Sequence, residues 1–288
     1  MMPAASMVLP EGVAAGVRLI ASDLDGTLLA PDKTVTPRTQ AALRAAHEAG
    51  IVVVVATGRQ LATLPPDVAR TPADYLVVSN GALVFRASTE EIVLTELIPP
   101  AALAAVVGYL GEHVPGALVG VARGDGTDFV SEPGYLDQMS GDEMNHDRRR
   151  HRVAPRAEIV GEPALKLAVR HPDICADDLL VAIEASGLPG FVATTSGAPF
   201  VEIGAAGVDK ATALAHLCAL LGVDPAAVVA FGDAKNDIPM LRWAGCGVAM
   251  GDAVPEAVAA ADARTADCAD DGLAQMVERI VAARRPHR

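Results

Sequence analysis

Five apolar runs recur along the chain: "VRLIAS" (17–22), "IVVVVATG" (51–58), "YLVVSNG" (75–81), "AVVAFGD" (227–233) and "GVAMGD" (247–252). Each is continuous in V, I, L and A rather than alternating with polar residues, the pattern of a strand buried on both faces. Between them lie stretches of helical period such as "TPRTQAALRAAHEAG" (36–50). Strands of this kind separated by helices predict an α/β fold with a parallel sheet covered on both sides.

The texture changes between Val84 and Thr195. There "EIVLTELI", "GALVGVA", "TDFV", "ALKLAV" and "FVATT" read as strands, "PAALAAVVGYLGEH" and "ADDLLVAIEASG" as helices, and "DEMNHDRRRHR" as a polar stretch. Mixed strands and helices with longer loops predict a separate α+β domain, residues 84–195, inserted into a core made of residues 17–83 and 196–288. Residues 1–16, small and without period, read as a frayed extension with no catalytic part.

Composition narrows the picture. The 288 residues are 51% hydrophobic with mean hydropathy +0.32, enough for a large core, and no run approaches the length of a membrane span. The first twenty residues lack the basic start and apolar stretch of a signal peptide, so a cytoplasmic protein is the expectation. With 23 Lys and Arg against 36 Asp and Glu, the net charge of −13 disfavours nucleic acid and anionic membranes as partners. Four scattered cysteines form no CxxC pair and read as free thiols. Whether the chain acts alone or as a homodimer stays open.

Ligands of open parallel sheets bind beyond the carboxyl ends of the strands. Four polar clusters fall there: "DLDGT" (23–27), "ATGR" (56–59), "SNG" (79–81) and "GDAKND" (232–237). Asp23 and Asp25, two apart at a strand end, are expected to point the same way and so to need a cation between them. Asp233, Asp237 and Lys210 of "GVDKATAL" would join them. A site rich in oxygen and nearly free of His and Cys suits Mg²⁺ rather than zinc. A calcium loop does not fit, since its sixth and twelfth positions would be Leu28 and Thr34, and no GxxxxGK[ST] phosphate loop occurs. "GCGVAMG" has the wrong spacing for a dinucleotide fingerprint.

"DLDGTLL", "ATGR", "GVDKATAL" and "GDAKNDIPML", in that order, resemble the four signature motifs of the haloacid dehalogenase superfamily, and the SNG segment with the central insertion resembles its Cof-type branch. The resemblance runs from about Arg18 to the C-terminal helix. It implies a Rossmann-like core with an inserted cap, and Mg²⁺-dependent hydrolysis of small phosphorylated metabolites through a phosphoaspartyl enzyme. Asp23 would be the nucleophile and Asp25 the acid and then the base, its pKa raised so that it carries the first proton. Metal ligands would be Asp23, the Asp25 carbonyl and Asp233, with Asp237 close by. Thr57, Gly58, Arg59, Asn80, Lys210 and Asn236 would surround the phosphate, Arg59 facing the leaving group or the cap. Other readings of these residues are a helix N-cap for Thr57, a solvated first-turn lysine for Lys210 and a capping pair for Asn236 and Asp237. Ala211 and Asp252 depart from the usual Gly and Asn of the pattern.

Substrate choice would lie with the cap, where Lys166, Arg123, Asp125 and the run His146–Arg152 are the candidates. That run reads first as a solvated loop. A phosphomutase and a non-enzymatic phosphate-binding regulator are the alternatives. The large central insertion favours hydrolysis over the first, and the presence of Asp23, Asp25 and Lys210 argues against the second.

Overall fold

In the computed structural model, which describes residues 13–140, 143 and 149–284, the apolar runs become neighbours in one sheet. The chain first lays down β1 (Leu19–Ser22), β2 (Val52–Ala56), β3 (Tyr75–Val78), β4 (Leu83–Arg86) and β5 (Glu91–Thr95). A second sheet follows, with β6 (Leu118–Arg123), β7 (Asp128–Ser131), β8 (Arg150–Val153), β9 (Lys166–Arg170), β10 (Phe191–Thr194) and β11 (Val201–Ala205). The chain then returns to the first sheet through β12 (Val228–Gly232), β13 (Cys246–Ala249) and β14 (Ala263–Arg264).

The large sheet has the order β14-β13-β12-β1-β2-β3-β4-β5. Pairing is parallel from β14 to β3 and antiparallel from β3 through β5. Continuous apolar strands serve both faces: Ile20, Val53, Val55 and Val229 pack under the helices Pro37–Glu48 and Gly272–Arg284, while Leu19, Val54, Val228 and Ala230 pack against the helix Lys210–Leu221. Strand order reverses at β1, whose neighbours are β2 and β12, and that is where an open α/β sheet leaves a crevice beyond its carboxyl ends.

The small sheet has the order β10-β11-β9-β6-β7-β8 and is antiparallel except for β7 with β8. Its strands alternate. Leu167, Val169, Val121, Val201 and Ile203 pack on the side of helices Pro100–His113 and Ala176–Glu184, whereas Lys166, Ala168, Arg170 and Glu202 line the cavity on the other side.

Sheet membership differs from the sequence reading at both expected boundaries, 84 and 195. β4 and β5 extend the large sheet, and β11 belongs to the small one. The change in texture near Val84 marked a change of strand direction, from parallel to antiparallel, rather than the end of the sheet. Within residues 1–16, Val13–Gly16 form a helical turn, with Val13 and Ala14 packed on the core beside the C-terminal helix; the remainder of that segment lies outside the described residues. Among the described residues no helix is long and apolar enough to cross a membrane.

Candidate active site

β1 ends at Ser22, and the backbone N–H of Asp23 donates to Phe231 O at 2.9 Å, fixing the first acid against β12. Because the strand stops before Asp23, the two acids of "DLDGT" do not share one set of partners as the two-residue spacing predicts. Asp23, 5% exposed, accepts from Lys210 Nζ at 2.5 Å. Asp25 accepts from Arg59 Nε at 2.6 Å, Arg59 Nη2 at 2.8 Å and Lys33 Nζ at 2.9 Å. Both still line one cavity.

Lys210 is the first residue of its helix, capped by Asp209, whose carboxylate accepts from Thr212 N at 2.8 Å. Its ammonium is fully buried and donates to Asp23 and also to Asp237 Oδ1 at 2.6 Å, which disposes of the solvated-lysine reading. Ala211 is buried in the same turn without disturbing it. Gly81 helps to hold this helix start: its φ is +104°, and a Cβ there would lie 2.2 Å from Asp209 O. Gly81→Ala is therefore expected to cost about 3 kcal/mol or more, because neither the backbone angle nor the contact can relax cheaply. Chemical denaturation of the variant measures it, and a loss below about 0.5 kcal/mol would contradict the contact.

Asp237, wholly buried, uses its other oxygen to accept from Asp233 N and Ala234 N, each at 3.0 Å. It ties down the loop after β12 instead of capping the helix Ile238–Trp243, to which its side chain makes no capping hydrogen bond, so the capping reading does not hold; its first oxygen faces the cluster. Asp233 accepts from Thr27 Oγ1 at 2.9 Å, and a Cβ on Gly26 would come within 2.5 Å of Asp233 Oδ2, so the Gly-Thr pair after Asp25 makes room for this carboxylate. Asp23, Asp233 and Asp237 each offer an oxygen within 4.8 Å of the others.

Three carboxylates against one ammonium leave two negative charges uncompensated. Burial and the neighbouring Asp237 carboxylate push Asp233 up to about 7, and burial, with Asp237 and Asp233, raises Asp23 well above the ordinary value despite Lys210. Burial would discharge Lys210, but Asp23 and Asp237 prevail and hold it firmly protonated. A divalent cation ligated by oxygen would cancel the surplus, and the donor set fits Mg²⁺.

Asp25 departs from expectation. Burial works to raise its pKa, but the Arg59 hydrogen bonds and charge, with those of Lys33, hold it at about 2. In this arrangement the carboxylate is an acceptor, and Arg59 faces Asp25 and Thr63 O rather than the cap.

The loops after β2 and β3 meet beside the cavity, which Thr57, Gly58 and Asn236 line; Asn80, expected there, stands behind them and is not on the cavity wall. Thr57 caps no helix; its Oγ1 accepts from Arg59 N at 3.1 Å. Asn80 N donates to Thr57 O at 3.0 Å, and Asn236 Nδ2 donates to Asn80 Oδ1, also at 3.0 Å. Ser79 and Asn80 both have left-handed backbones, φ 52° and 54°, a strained pair of the kind that clusters at functional sites.

From the cap, Lys166 reaches in as expected, donating to Gly58 O at 2.9 Å and pairing with Glu202. Arg123 does not: its guanidinium is buried against the carbonyls of Glu158 and Ile159, tying the cap together, and Asp125 accepts from Thr127 N in an exposed turn. Of the basic run, Arg149 lines the cavity and donates to Gln60 Oε1 at 2.9 Å, while Arg150 and Arg152 pair with Asp128 and Glu158 at the surface. His146 to Arg148 lie outside the described residues. Sequence reading missed Glu202, Arg170, Tyr135 and Phe200, all on the cavity wall. The alternation in "LKLAVR" and "VEIG" was the available signal for the first two.

Parallel α/β enzymes that set their reactive groups beneath an inserted second sheet form a recognisable class of hydrolases, and fold and site place this chain in it. The chain belongs to the haloacid dehalogenase-like hydrolases, whose family model matches residues 20–277. HMP-PP phosphatase of Serratia proteamaculans is 32% identical over 242 residues, 83% of this chain and 85% of its own. Pyridoxal phosphate phosphatase YbhA of Escherichia coli is 28% identical over 266 residues, 90% and 97% of the two chains. Among solved structures, BT1666 of Bacteroides thetaiotaomicron, described as a phosphatase of this superfamily, matches with a TM-score of 0.78 at 25% identity over 95% of this chain and 98% of its own.

Proposed function

We propose that the protein hydrolyses small phosphorylated metabolites, Mg²⁺-dependently and through a phosphoaspartyl intermediate. The observation that carries this is the buried cluster of Asp23, Asp233, Asp237 and Lys210 beyond the end of β1. Asp23, Asp233 and the carbonyl of Asp25 would hold Mg²⁺, with Asp237 supporting them, and the ion would neutralise a phosphate that the carboxylates otherwise repel.

An oxygen of Asp23 attacks phosphorus as the bond to the ester oxygen breaks, and Asp25 hands the departing oxygen a proton. Water then attacks the aspartyl phosphate, Asp25 takes the proton back, and inorganic phosphate leaves Asp23 free. For Asp25 to carry that proton, Arg59 and Lys33 must release it, and an arriving phosphate that draws the Arg59 guanidinium to itself does so. Thr57, Gly58 and Asn236 border the phosphoryl oxygens, Asn80 holds the Asn236 amide from behind, and the Lys210 ammonium orients and screens Asp23. A cavity of about 430 Å³ under the cap sheet suits a metabolite rather than a folded phosphoprotein.

A Mg²⁺-supplemented screen of purified protein against phosphorylated metabolites and p-nitrophenyl phosphate tests the reading. Chelation is expected to remove turnover and Mg²⁺ to restore it. Full turnover of p-nitrophenyl phosphate after exhaustive chelation would overturn the metal assignment.

A further inference from the structure

Two polar atoms on the cap wall are left over among the described residues, the donor Arg170 Nε and the acceptor Glu202 Oε2, and the second lies nearer the core loops. Glu202 is 3% exposed; one of its oxygens is held by Lys166, whose ammonium also donates to Gly58 O. The other, Oε2, is buried with no hydrogen-bond partner among the described residues, on a side chain that lines the cavity. An unsatisfied carboxylate oxygen is costly in a dry site, so this is a place where a ligand completes the structure or displaces a water that does. Oε2 also lies 3.1 Å from where a Cβ on Gly58 would stand. It therefore addresses the end of the ligand next to the Thr57–Arg59 loop, while Tyr135 and Phe200 offer apolar faces further along the wall.

Resting on the phosphatase reading above, we infer that the leaving group carries a hydrogen-bond donor, a hydroxyl or an amino group, close to its phosphorylated carbon, and that Glu202 reads it. A carboxylate oxygen only accepts, so an ester bearing an acceptor at that position, or nothing, leaves Oε2 unsatisfied.

The test compares hydroxyalkyl phosphates of two to four carbons with the unsubstituted alkyl phosphates and the O-methyl ethers of the same lengths, using the full chain with Mg²⁺. At one chain length the hydroxyl ester is expected to exceed both partners in kcat/KM by roughly tenfold to a hundredfold, the range for a hydrogen bond to a charged group. In Glu202→Gln, Lys166 keeps the amide oxygen and the NH₂ turns to the cavity, so the preference should move from the hydroxyl ester toward the methyl ether. A purely structural role for Glu202 would lower all three alike, and that result overturns the inference. Equal efficiencies at every length in the wild-type protein overturn it without any variant. No turnover of the series or of p-nitrophenyl phosphate overturns the phosphatase reading itself, and the inference with it.

Discussion

Asp23→Asn is expected to lose turnover by about 10⁴-fold or more and to form no trappable phosphoenzyme, because the amide has no oxygen that can displace the ester. The same substitution should raise thermal stability in the presence of chelator. Asp23 is buried beside Asp233 and Asp237, and its pKa is raised, so the folded state holds its ionised form at a disadvantage. The sign follows: a carboxyl with a higher pKa folded than unfolded withdraws stability as pH rises above its unfolded value. Replacing it with a neutral isostere removes that penalty at neutral pH, and roughly 2–4 °C in Tm per kcal/mol relieved is the expected scale. Turnover, acid-quenched labelling with substrate and thermal melts at pH 5 and pH 8 check both halves. Wild-type turnover would mean that the nucleophile lies elsewhere.

Lys210→Met is expected to do the opposite to stability. The ammonium is fully buried between Asp23 and Asp237, and removing it leaves buried carboxylates without their counter-charge, a loss of about 3–5 kcal/mol. Without the lysine the cluster's proton affinity rises further, so the variant should recover stability as pH falls from 8 to 5, and Mg²⁺ should recover part of it at pH 8. Turnover should not return with Mg²⁺, since the group that orients Asp23 is still missing. A variant that melts within a degree of wild type at pH 8 would show that the four side chains do not form one electrostatic unit.

The parallel core was legible because burial on both faces leaves a strong mark, continuous V, I, L and A, and each of the five runs became a strand of the large sheet. Two of the four polar clusters, "DLDGT" and "GDAKND", were legible for a related reason: acids directly after such strands have few structural uses. What could not be read depends on partners distant in sequence. The Asp25 pKa is set by Lys33 and Arg59, and nothing in "DLDGT" reveals that both would fold onto one carboxylate. β8 was hidden because "RHRV" is an exposed polar edge strand without an apolar signature. β11 fell on the core side only because the inserted domain was expected to end at Thr195, and its pairing with β9 and β10 shows where it belongs. The misplacement of Arg123 was of another kind, since an arginine at the end of a strand can tie down carbonyls as readily as it can meet a ligand.

The alternation of the cap sheet has a consequence for how such a protein changes over generations. On β9, Leu167 and Val169 answer to packing beneath the helices, whereas Lys166, Ala168 and Arg170 answer to whatever enters the cavity. Adjacent positions on the strand thus meet unrelated physical demands. The middle of the cavity face carries Ala168, so the depth of the cavity there can change by single carbon atoms without touching a core carboxylate or the apolar layer beneath the cap helices. A lineage built this way can exchange one leaving group for another in small steps while its chemistry stays fixed.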